Sequence, residues 1–209
     1  MESIIIFGAT GGTGTELVQQ ALAKNYSVTA FLRNPEKLNL KDDRLTIFKG
    51  NVLNSEDVEK AMEKKDVVLC TLGTSGTDKS FLRTKGTKNI VEAMEKLNVK
   101  RLICQSTLGF GDTKDVLPWH MKYIIVPLFI KNAFKDHEEQ EKVIEQSNLD
   151  WIIARPASLT NGDKTGNYKV GFNPKEKIKV KISRADVADF MLNQIAENQY
   201  LHQKVGLSY

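Results

Sequence analysis

Three glycines at regular spacing follow an apolar segment near the start of the sequence. Residues 3–7 form a strand pattern, Gly8, Gly11 and Gly14 come next, and a helical pattern covers residues 13–24. In such a strand–turn–helix the first glycine permits a sharp turn, the second lets the backbone approach a pyrophosphate, and the third allows close helix packing. The N–H groups at the start of the helix then stabilise the anion. The spacing therefore predicts a dinucleotide site, although glycine turns of this kind also occur for geometric reasons alone.

The end of the second apolar segment indicates which dinucleotide would bind. Residues 27–32 form a strand pattern that ends at Leu32, and Arg33 follows it. Sites that prefer NAD usually carry an acidic side chain at this strand end, where it binds the ribose hydroxyls. A guanidinium can instead pair with a 2′-phosphate through two hydrogen bonds. Because no carboxylate occupies the strand end, we expect NADP(H); the alternative is that Arg33 simply lies in a surface loop.

Two further strand ends carry residues that could contact the same ligand. After the third strand, the Asn51 side chain could accept a hydrogen bond from the adenine amino group while Val52 packs on the ring. Asn51 could equally be a turn residue whose side chain is satisfied locally. Leu72, Gly73 and Thr74 follow the fourth strand, and Gly73 is a small residue where the chain must pass close to a cofactor.

Strand and helix patterns alternate along most of the chain and would position these residues. The strand patterns cover residues 3–7, 27–32, 45–48, 67–71, 101–106 and 151–154, and the helical patterns cover 13–24, 55–64, 80–97 and 131–147. Such alternation predicts right-handed β-α-β crossovers and a doubly wound parallel sheet covered on both faces, which is a Rossmann-type α/β fold. The carboxyl ends of the strands then share one edge, where ligands bind.

The alternation weakens after the sixth strand. Residues 177–182 alternate lysine with apolar residues, as a half-exposed strand does. Residues 183–186 resemble a capping box with Asp in place of Glu, opening a helix that continues to residue 195. Residues 204–209 could form a closing strand. These weaker patterns predict a small substrate-side lobe rather than a second domain.

Length and composition agree with a single globular domain. The chain has 209 residues, of which 41% are hydrophobic and 27% charged. We expect one domain over residues 1–209, with the Rossmann core at 1–156 and the substrate-side extension at 157–209. The net charge of +4 is spread over lysines on separate elements, so no basic stripe indicates nucleic-acid binding.

The remaining composition signals concern compartment and metals. Cys70 and Cys104 lie in apolar strand patterns, so we expect them to be free thiols in a protein of a reducing compartment. The longest apolar stretch, residues 123–130, is too short to span a bilayer, and the first strand begins too early for a signal peptide. His120 and His202 are isolated from each other and from carboxylate clusters, so no metal site is expected. We expect a cytoplasmic protein without membrane contact, and the sequence leaves its oligomeric state open.

Taken together, the motifs resemble the atypical short-chain dehydrogenase/reductase superfamily, and most closely its branch with biliverdin-IXβ reductase/flavin reductase and NmrA-like proteins. The residues that carry the resemblance are 8–14, 32–33, 50–52, 72–74, 85–94, 155–158 and 183–188. Nearly the whole chain is covered except residues 110–129. Each motif is generic to the superfamily, whereas their order and spacing are specific to the branch.

The resemblance implies a set of cofactor contacts. They are Gly8, Thr10, Gly11, Gly12, Thr13, Gly14, Arg33, Asn51, Val52, Leu72, Gly73, Thr74 and Thr107, with the backbone of Pro156, Ala157 and Ser158 bordering the nicotinamide. Two positions depart from the branch. Asn51 stands where relatives commonly carry Asp. Ser158 stands where flavin reductases carry a second histidine. The change at Ser158 bears on specificity for a tetrapyrrole more than on hydride transfer.

The usual catalytic pair of the superfamily is missing. A Tyr-x-x-x-Lys pair on the helix before the sixth strand normally protonates the alkoxide, but Ala133 and His137 occupy those places. His137 is the candidate for proton transfer, the alternative being a solvated helix histidine beside two glutamates. Ser106 and Thr107 end the fifth strand, where one of them could bond the acceptor or the carboxamide, or make a local bond.

The missing acid indicates the kind of acceptor. A simple ketone needs an acid to neutralise its alkoxide, whereas a flavin, quinone or tetrapyrrole delocalises the incoming charge, so catalysis would come mostly from positioning. We therefore expect an NADPH-dependent oxidoreductase acting on such a small-molecule acceptor, with flavin as substrate rather than bound cofactor. The alternative is a non-catalytic NADP-binding sensor of the NmrA-like type. Residues 117–130 are unusually apolar and could be a lid, an oligomer contact or, by default, core.

Overall fold

The fold is built around one eight-stranded sheet. The structure is a computed structural model and describes residues 2–116, 118–119, 121–171 and 180–209. The strands of the sheet lie in the order β3-β2-β1-β4-β5-β6-β10-β8. Their bounds are β1 Ser3–Phe7, β2 Ser27–Leu32, β3 Leu45–Lys49, β4 Val67–Cys70, β5 Arg101–Gln105, β6 Asp150–Pro156, β8 Lys169–Val170 and β10 Gln203–Ser208. A separate parallel pair joins β7 (Ser158–Thr160) to β9 (Lys181–Ser183).

Parallel pairing runs through the whole sheet except at one edge. Only β8, which pairs with β10, is antiparallel among the described strands. The central strands β1 and β4 are almost fully buried, as expected for strands covered on both faces. Cys70 and Cys104 lie opposite each other on β4 and β5 as buried, free thiols. The doubly wound Rossmann-type α/β fold expected from the sequence is confirmed.

Helices cover the two faces of the sheet, which separates two apolar cores. The helices are α1 Gly12–Ala23, α2 Ser55–Met62, α3 Leu82–Leu97, α4 Lys131–Glu145 and α5 Arg184–Asn193. One core includes the apolar faces of α1 and α5, and the other includes those of α2, α3 and α4. Because α5 packs on α1, the late helix sits beside the first glycine turn, and Gln20 Nε2 donates to the Ala185 carbonyl at 2.9 Å.

The predicted C-terminal elements are found with local differences. The predicted closing strand is β10, which pairs in parallel with β6 and so joins the main sheet. Ser183 caps α5 as predicted, its Oγ accepting from the Asp186 backbone N–H at 3.0 Å. In a capping box the Asp186 side chain would accept a hydrogen bond from the Ser183 backbone N–H. Here that N–H donates to the Tyr209 hydroxyl instead. Of the strand predicted at 177–182, residues 177–179 lie outside the described residues.

The apolar segment before α4 differs from the default expectation of core packing. Met121–Ile130 forms π-helical turns that lead directly into α4, and residues 117 and 120 lie outside the described residues. The side chains of Trp119, Tyr123 and Leu128 are 69%, 68% and 70% exposed, and Ile124 is 44% exposed. Apolarity alone could not distinguish core from surface here, and these four side chains lie on the surface. Within the described part of the chain, no helix has both the length and the apolar character needed to cross a membrane.

Candidate functional site

A cavity of about 830 Å³ lies at the carboxyl ends of the parallel strands. This is the edge at which open α/β sheets bind ligands. Residues from the loops after β1, β2, β3, β4, β5 and β6 line it together with side chains from α3, α4 and α5. The lining residues are Gly8, Thr10–Thr13, Phe31–Arg33, Lys37, Gly50, Val52, Thr71–Ser75, Leu82, Arg83, Gln105–Thr107, His137, Pro156–Leu159 and Arg184. Most of the residues predicted to bind cofactor are therefore brought together in one place.

The glycine turn is held by backbone contacts that leave no room for side chains. Gly8 has φ +85°, and a Cβ atom there would lie 2.4 Å from the Thr71 carbonyl oxygen. A Cβ atom on Gly14 would lie 2.1 Å from the Gly8 carbonyl oxygen, so this glycine packs the helix start against the turn rather than lining the cavity. The Gly11 N–H donates to the Gly8 carbonyl at 2.9 Å and closes the turn. The turn therefore leaves the first amides of α1 facing the cavity.

The charges on the cavity wall have one sign. Arg33, Lys37, Arg83 and Arg184 line it, and no Asp or Glu is found among the described lining residues. Arg33 is exposed and lies with Lys37 beyond the end of β2, whereas Arg83 is buried and paired with Asp136 at 3.3 Å. A concave wall of this kind concentrates anionic ligands. Lys37 is exposed and belongs to the same wall.

Asn51 lies outside the cavity lining, although its neighbours Gly50 and Val52 are part of it. The Asn51 side-chain oxygen accepts from the Leu53 N–H at 3.1 Å, and its own N–H donates to Asp57 at 2.9 Å. The structure therefore has Asn51 as the locally satisfied turn residue, which was the second of the two predicted alternatives.

The candidate catalytic residues meet at the far end of the cavity. Ser106 is 2% exposed and His137 is 9% exposed, with Ser106 Oγ 3.4 Å from His137 Nδ1. Burial, reinforced by the nearby Arg83 charge, lowers the pKa of His137 to about 3, so the imidazole is neutral at physiological pH. The interpretation of His137 as a solvated helix histidine is wrong. Thr107 faces the cavity, but its hydroxyl donates to the Leu108 carbonyl at 3.2 Å, which is a local bond.

A buried ion pair holds the wall behind His137. The Arg155 guanidinium binds both carboxylate oxygens of Glu141, at 2.8 and 2.5 Å, and also reaches Asp112 at 2.6 Å. The same guanidinium lies 5.0 Å from the centre of the Phe110 ring, which in turn stacks beside His137. The pair therefore joins α4 to β6 and fixes the aromatic ring next to the imidazole.

Sequence reasoning did not place Arg83, Gln105 or Arg184 at the site. Arg83 is brought there by its bonds to Thr74 and Asp136, and nothing in its sequence context distinguished it. Gln105 directly precedes Ser106 on β5, so its proximity to the strand end was the available signal. Arg184 lies within the late-helix motif, but its contact with the glycine turn depends on the packing of α5 on α1.

No tyrosine is present among the described residues that line the cavity. On α4, Ala133 is buried and His137 lines the cavity, so the two positions of the usual catalytic pair hold neither a phenol nor an ammonium group. Among the described residues, no group of three or more His, Cys, Asp or Glu is placed to hold a metal ion. The arrangement can bind an extended polyanion and position a second molecule beside a neutral, hydrogen-bonding end.

Comparison with known proteins places these features in a family. A model described as NAD(P)H-binding matches residues 8–198. The photosystem II assembly factor Ycf39 of Synechocystis is 29% identical over 172 residues, covering 80% of this chain and 48% of that protein. The chain therefore spans about half the length of that relative.

Two solved structures show the same fold at low identity. A short-chain dehydrogenase/reductase from Veillonella parvula, in complex with NADP, superposes with a TM-score of 0.81 at 21% identity, covering 100% of this chain and 94% of that one. The ChuY structure from Escherichia coli O157:H7, described as an anaerobilin reductase, gives 0.80 at 22% identity, covering 98% and 96%.

Proposed function

This chain belongs to the NAD(P)H-binding family, and we propose that it is an NADPH-dependent reductase that passes hydride to a planar conjugated acceptor such as a flavin, quinone or tetrapyrrole. One observation carries the proposal: the cavity combines a cationic, carboxylate-free wall with an end that holds no tyrosine among the described residues. The first property suits NADPH, and the second suits an acceptor that needs no strong acid.

The cationic wall favours NADPH over NADH. Leu32 occupies the strand end where NAD sites usually carry an acid, and Arg33 and Lys37 follow on the cavity wall. The rigid fork of Arg33 can pair with a 2′-phosphate, and the backbone N–H groups at the start of α1, whose Gly12 and Thr13 line the cavity, can donate to the pyrophosphate. The NADP bound to the Veillonella structure is consistent with this assignment.

The residues at the other end suit positioning better than acid catalysis. When bound, NADPH supplies the hydride, and the protein supplies orientation and electrostatics. Pro156, Ala157 and Ser158 at the end of β6 border the cavity, and so do Ser106 and Thr107, which follow the neighbouring strand β5. Neutral His137 holds the Ser106 hydroxyl in place through its ring nitrogen. The proton that follows the hydride then comes from solvent or through the Ser106 hydroxyl.

A delocalised acceptor fits this chemistry. A flavin, quinone or tetrapyrrole spreads the incoming negative charge over a conjugated system, so its reduction does not require a phenol of matched pKa. The description of ChuY as an anaerobilin reductase supports a tetrapyrrole among the candidates. No flavin-binding motif stands out in the sequence, so flavin enters the proposal as a substrate.

The test is NADPH oxidation with a panel of acceptors that includes FMN, a soluble quinone and a linear tetrapyrrole. We expect turnover with at least one of them, and an Arg33→Met variant should lose it at low NADPH concentration but regain it at saturation. Lys88→Met is the matched control, because Lys88 is exposed, lies on α3 and, within the described ranges, forms an ion pair with Glu92 alone. Absence of turnover across the panel, with NADPH binding intact, would contradict the reductase proposal.

The second candidate is a sensor that binds NADP(H) without consuming it. It is favoured by Ala133, which stands where the catalytic tyrosine of typical members lies, and by similarity to a protein described as an assembly factor. A sensor should bind NADPH and NADP⁺ in calorimetry, leave NADPH unoxidised with every acceptor, and retain a protein partner whose binding depends on the redox state of the nucleotide.

A further inference from the structure

The side chain of Arg184 lies across the start of the first helix. A Cβ atom on Gly12 would lie 2.5 Å from Arg184 Cδ and 2.6 Å from Arg184 Nε, so the arginine occupies the space that any other residue at position 12 would need. Both residues line the cavity, together with Thr10 and Gly11 of the turn. The guanidinium therefore lies beside Gly12, the first residue of α1, and a helix start of this kind is where a pyrophosphate binds.

Two sets of contacts hold Arg184 in this place. Its backbone is fixed because α5 begins at this residue, is capped by Ser183 and packs against α1. Its Nη1 donates to Asn161 Oδ1 at 2.5 Å, which directs the head group. Among the described residues the Arg184 guanidinium makes this one hydrogen bond, through Nη1, and no ion pair, so the N–H groups of Nε and Nη2 can donate to a ligand.

The other cations of the wall do not serve this position. Arg33 and Lys37 follow β2, at the adenosine end of the cavity, and the charge of Arg83 is offset by the buried carboxylate of Asp136. Among the described residues, Arg184 is therefore the one cation near the glycine turn whose charge is not offset by a carboxylate, and it is available to a dinucleotide pyrophosphate. That cation comes from the C-terminal part of the chain.

We propose that Arg184 binds the pyrophosphate of the dinucleotide and that Asn161 is its positioning residue. The inference rests on the proposed function only for the identity of the ligand, and it adds a binding residue from outside the nucleotide-binding half of the fold. It assigns two different tasks to two arginines: Arg33 recognises the 2′-phosphate that only NADP(H) carries, and Arg184 recognises the pyrophosphate that NADP(H) and NAD(H) share.

The experiment measures dissociation constants by calorimetry for NADPH, NADH and adenosine 2′-phosphate with the full chain. Arg184→Met should weaken NADPH and NADH by the same factor, about 10- to 100-fold for a lost charge-assisted contact, and leave adenosine 2′-phosphate unchanged. Arg33→Met should give the complementary pattern, weakening NADPH and adenosine 2′-phosphate but not NADH. Asn161→Ala should resemble Arg184→Met with a smaller effect, and Lys88→Met should change none of the three.

Arg184→Lys separates charge from general packing. We expect it to recover part of the lost NADPH and NADH affinity, because an ammonium group still binds phosphate as a point charge. The proposal is overturned if Arg184→Met binds NADPH within about twofold of the wild type, or if it loses affinity for adenosine 2′-phosphate equally. Failure of the proposed function is a different result, because the wild type would then bind NADPH but reduce no acceptor.

Discussion

Nδ1 of His137 lies 3.4 Å from the hydroxyl oxygen of Ser106, and both side chains are almost completely shielded from solvent. This contact joins Ser106, which directly follows β5, to the middle of α4. Since the imidazole is buried beside the Arg83 charge, it remains neutral where most histidines begin to take up a proton. We therefore propose that the neutral ring orients the Ser106 hydroxyl group rather than supplying a proton.

The first prediction concerns the titration of His137. Because its pKa is lowered to about 3, the His137 ring signals in proton NMR should not shift between about pH 8 and pH 5. The signals are identified by their loss in His137→Gln. A titration midpoint near pH 6.5 for those signals would mean that the imidazole is hydrated, which contradicts the buried geometry.

The second prediction concerns acid stability. The folded pKa of His137 lies below its ordinary value of 6.5, so as pH falls the unfolded chain takes up this proton first. Its contribution to stability is complete above about pH 6.5 and is lost as pH falls toward 3, by about 2 to 3 kcal/mol at pH 4.5. Urea unfolding at several pH values should therefore show a shallower acid loss for His137→Gln than for the wild type.

The third prediction concerns the glycine turn. Alanine normally stabilises a helix relative to glycine by up to about 1 kcal/mol. At Gly14 the added methyl would meet the backbone of Gly8 and Ala9, which cannot yield without moving the turn, so we expect Gly14→Ala to lower the free energy of unfolding by about 1 to 3 kcal/mol. Gly73→Ala is the control, because no heavy atom lies within 4 Å of a Cβ atom there. Equal stability of the two variants would show that the turn is not closed as described.

The fourth prediction concerns the Arg155–Glu141 pair. Arg155→Met leaves the Glu141 carboxylate buried without its partner and should cost about 3 to 5 kcal/mol of unfolding free energy. Replacing both residues, as Arg155→Met with Glu141→Leu, should recover much of that loss, because no charge is left buried. Lys142→Met, which breaks exposed pairs on the same helix, should change stability by less than about 0.5 kcal/mol. A double variant no more stable than Arg155→Met would assign the loss to packing instead.

Much of the site followed from the sequence because its residues lie at strand ends. Gly8, Arg33, Leu72 and Ser106 each come directly after an apolar strand pattern or end it, and parallel strands bring such positions to one edge. The parallel sheet covered by helices followed from the same alternation. The apolar strand patterns, and the rule that the carboxyl ends of parallel strands share one edge, were sufficient to predict these positions.

Other features depend on contacts that sequence spacing does not show. The burial of His137 was missed because Glu138 and Glu139 follow it, yet Ala133, His137, Gln140 and Ile144 recur at the spacing of one helix face and are all buried. The helical spacing was present in the sequence, but two of the four residues on this face, His137 and Gln140, are polar and so did not mark it as buried. Arg184 had no such signal, since its contact with Gly12 arises only when α5 packs on α1.

The neighbouring positions of α1 and α5 have a consequence for biosynthesis. Gln20 bonds to the Ala185 carbonyl, 165 residues later, and Leu17 and Val18 are buried in the core that α5 completes. A chain emerging from the ribosome therefore exposes the apolar side of α1 until α5 has been translated. Contacts of such long sequence separation slow folding and prolong exposure to aggregation. We therefore expect a nascent chain that stops before residue 184 to depend on chaperones, even though its dinucleotide-binding turn has already been made.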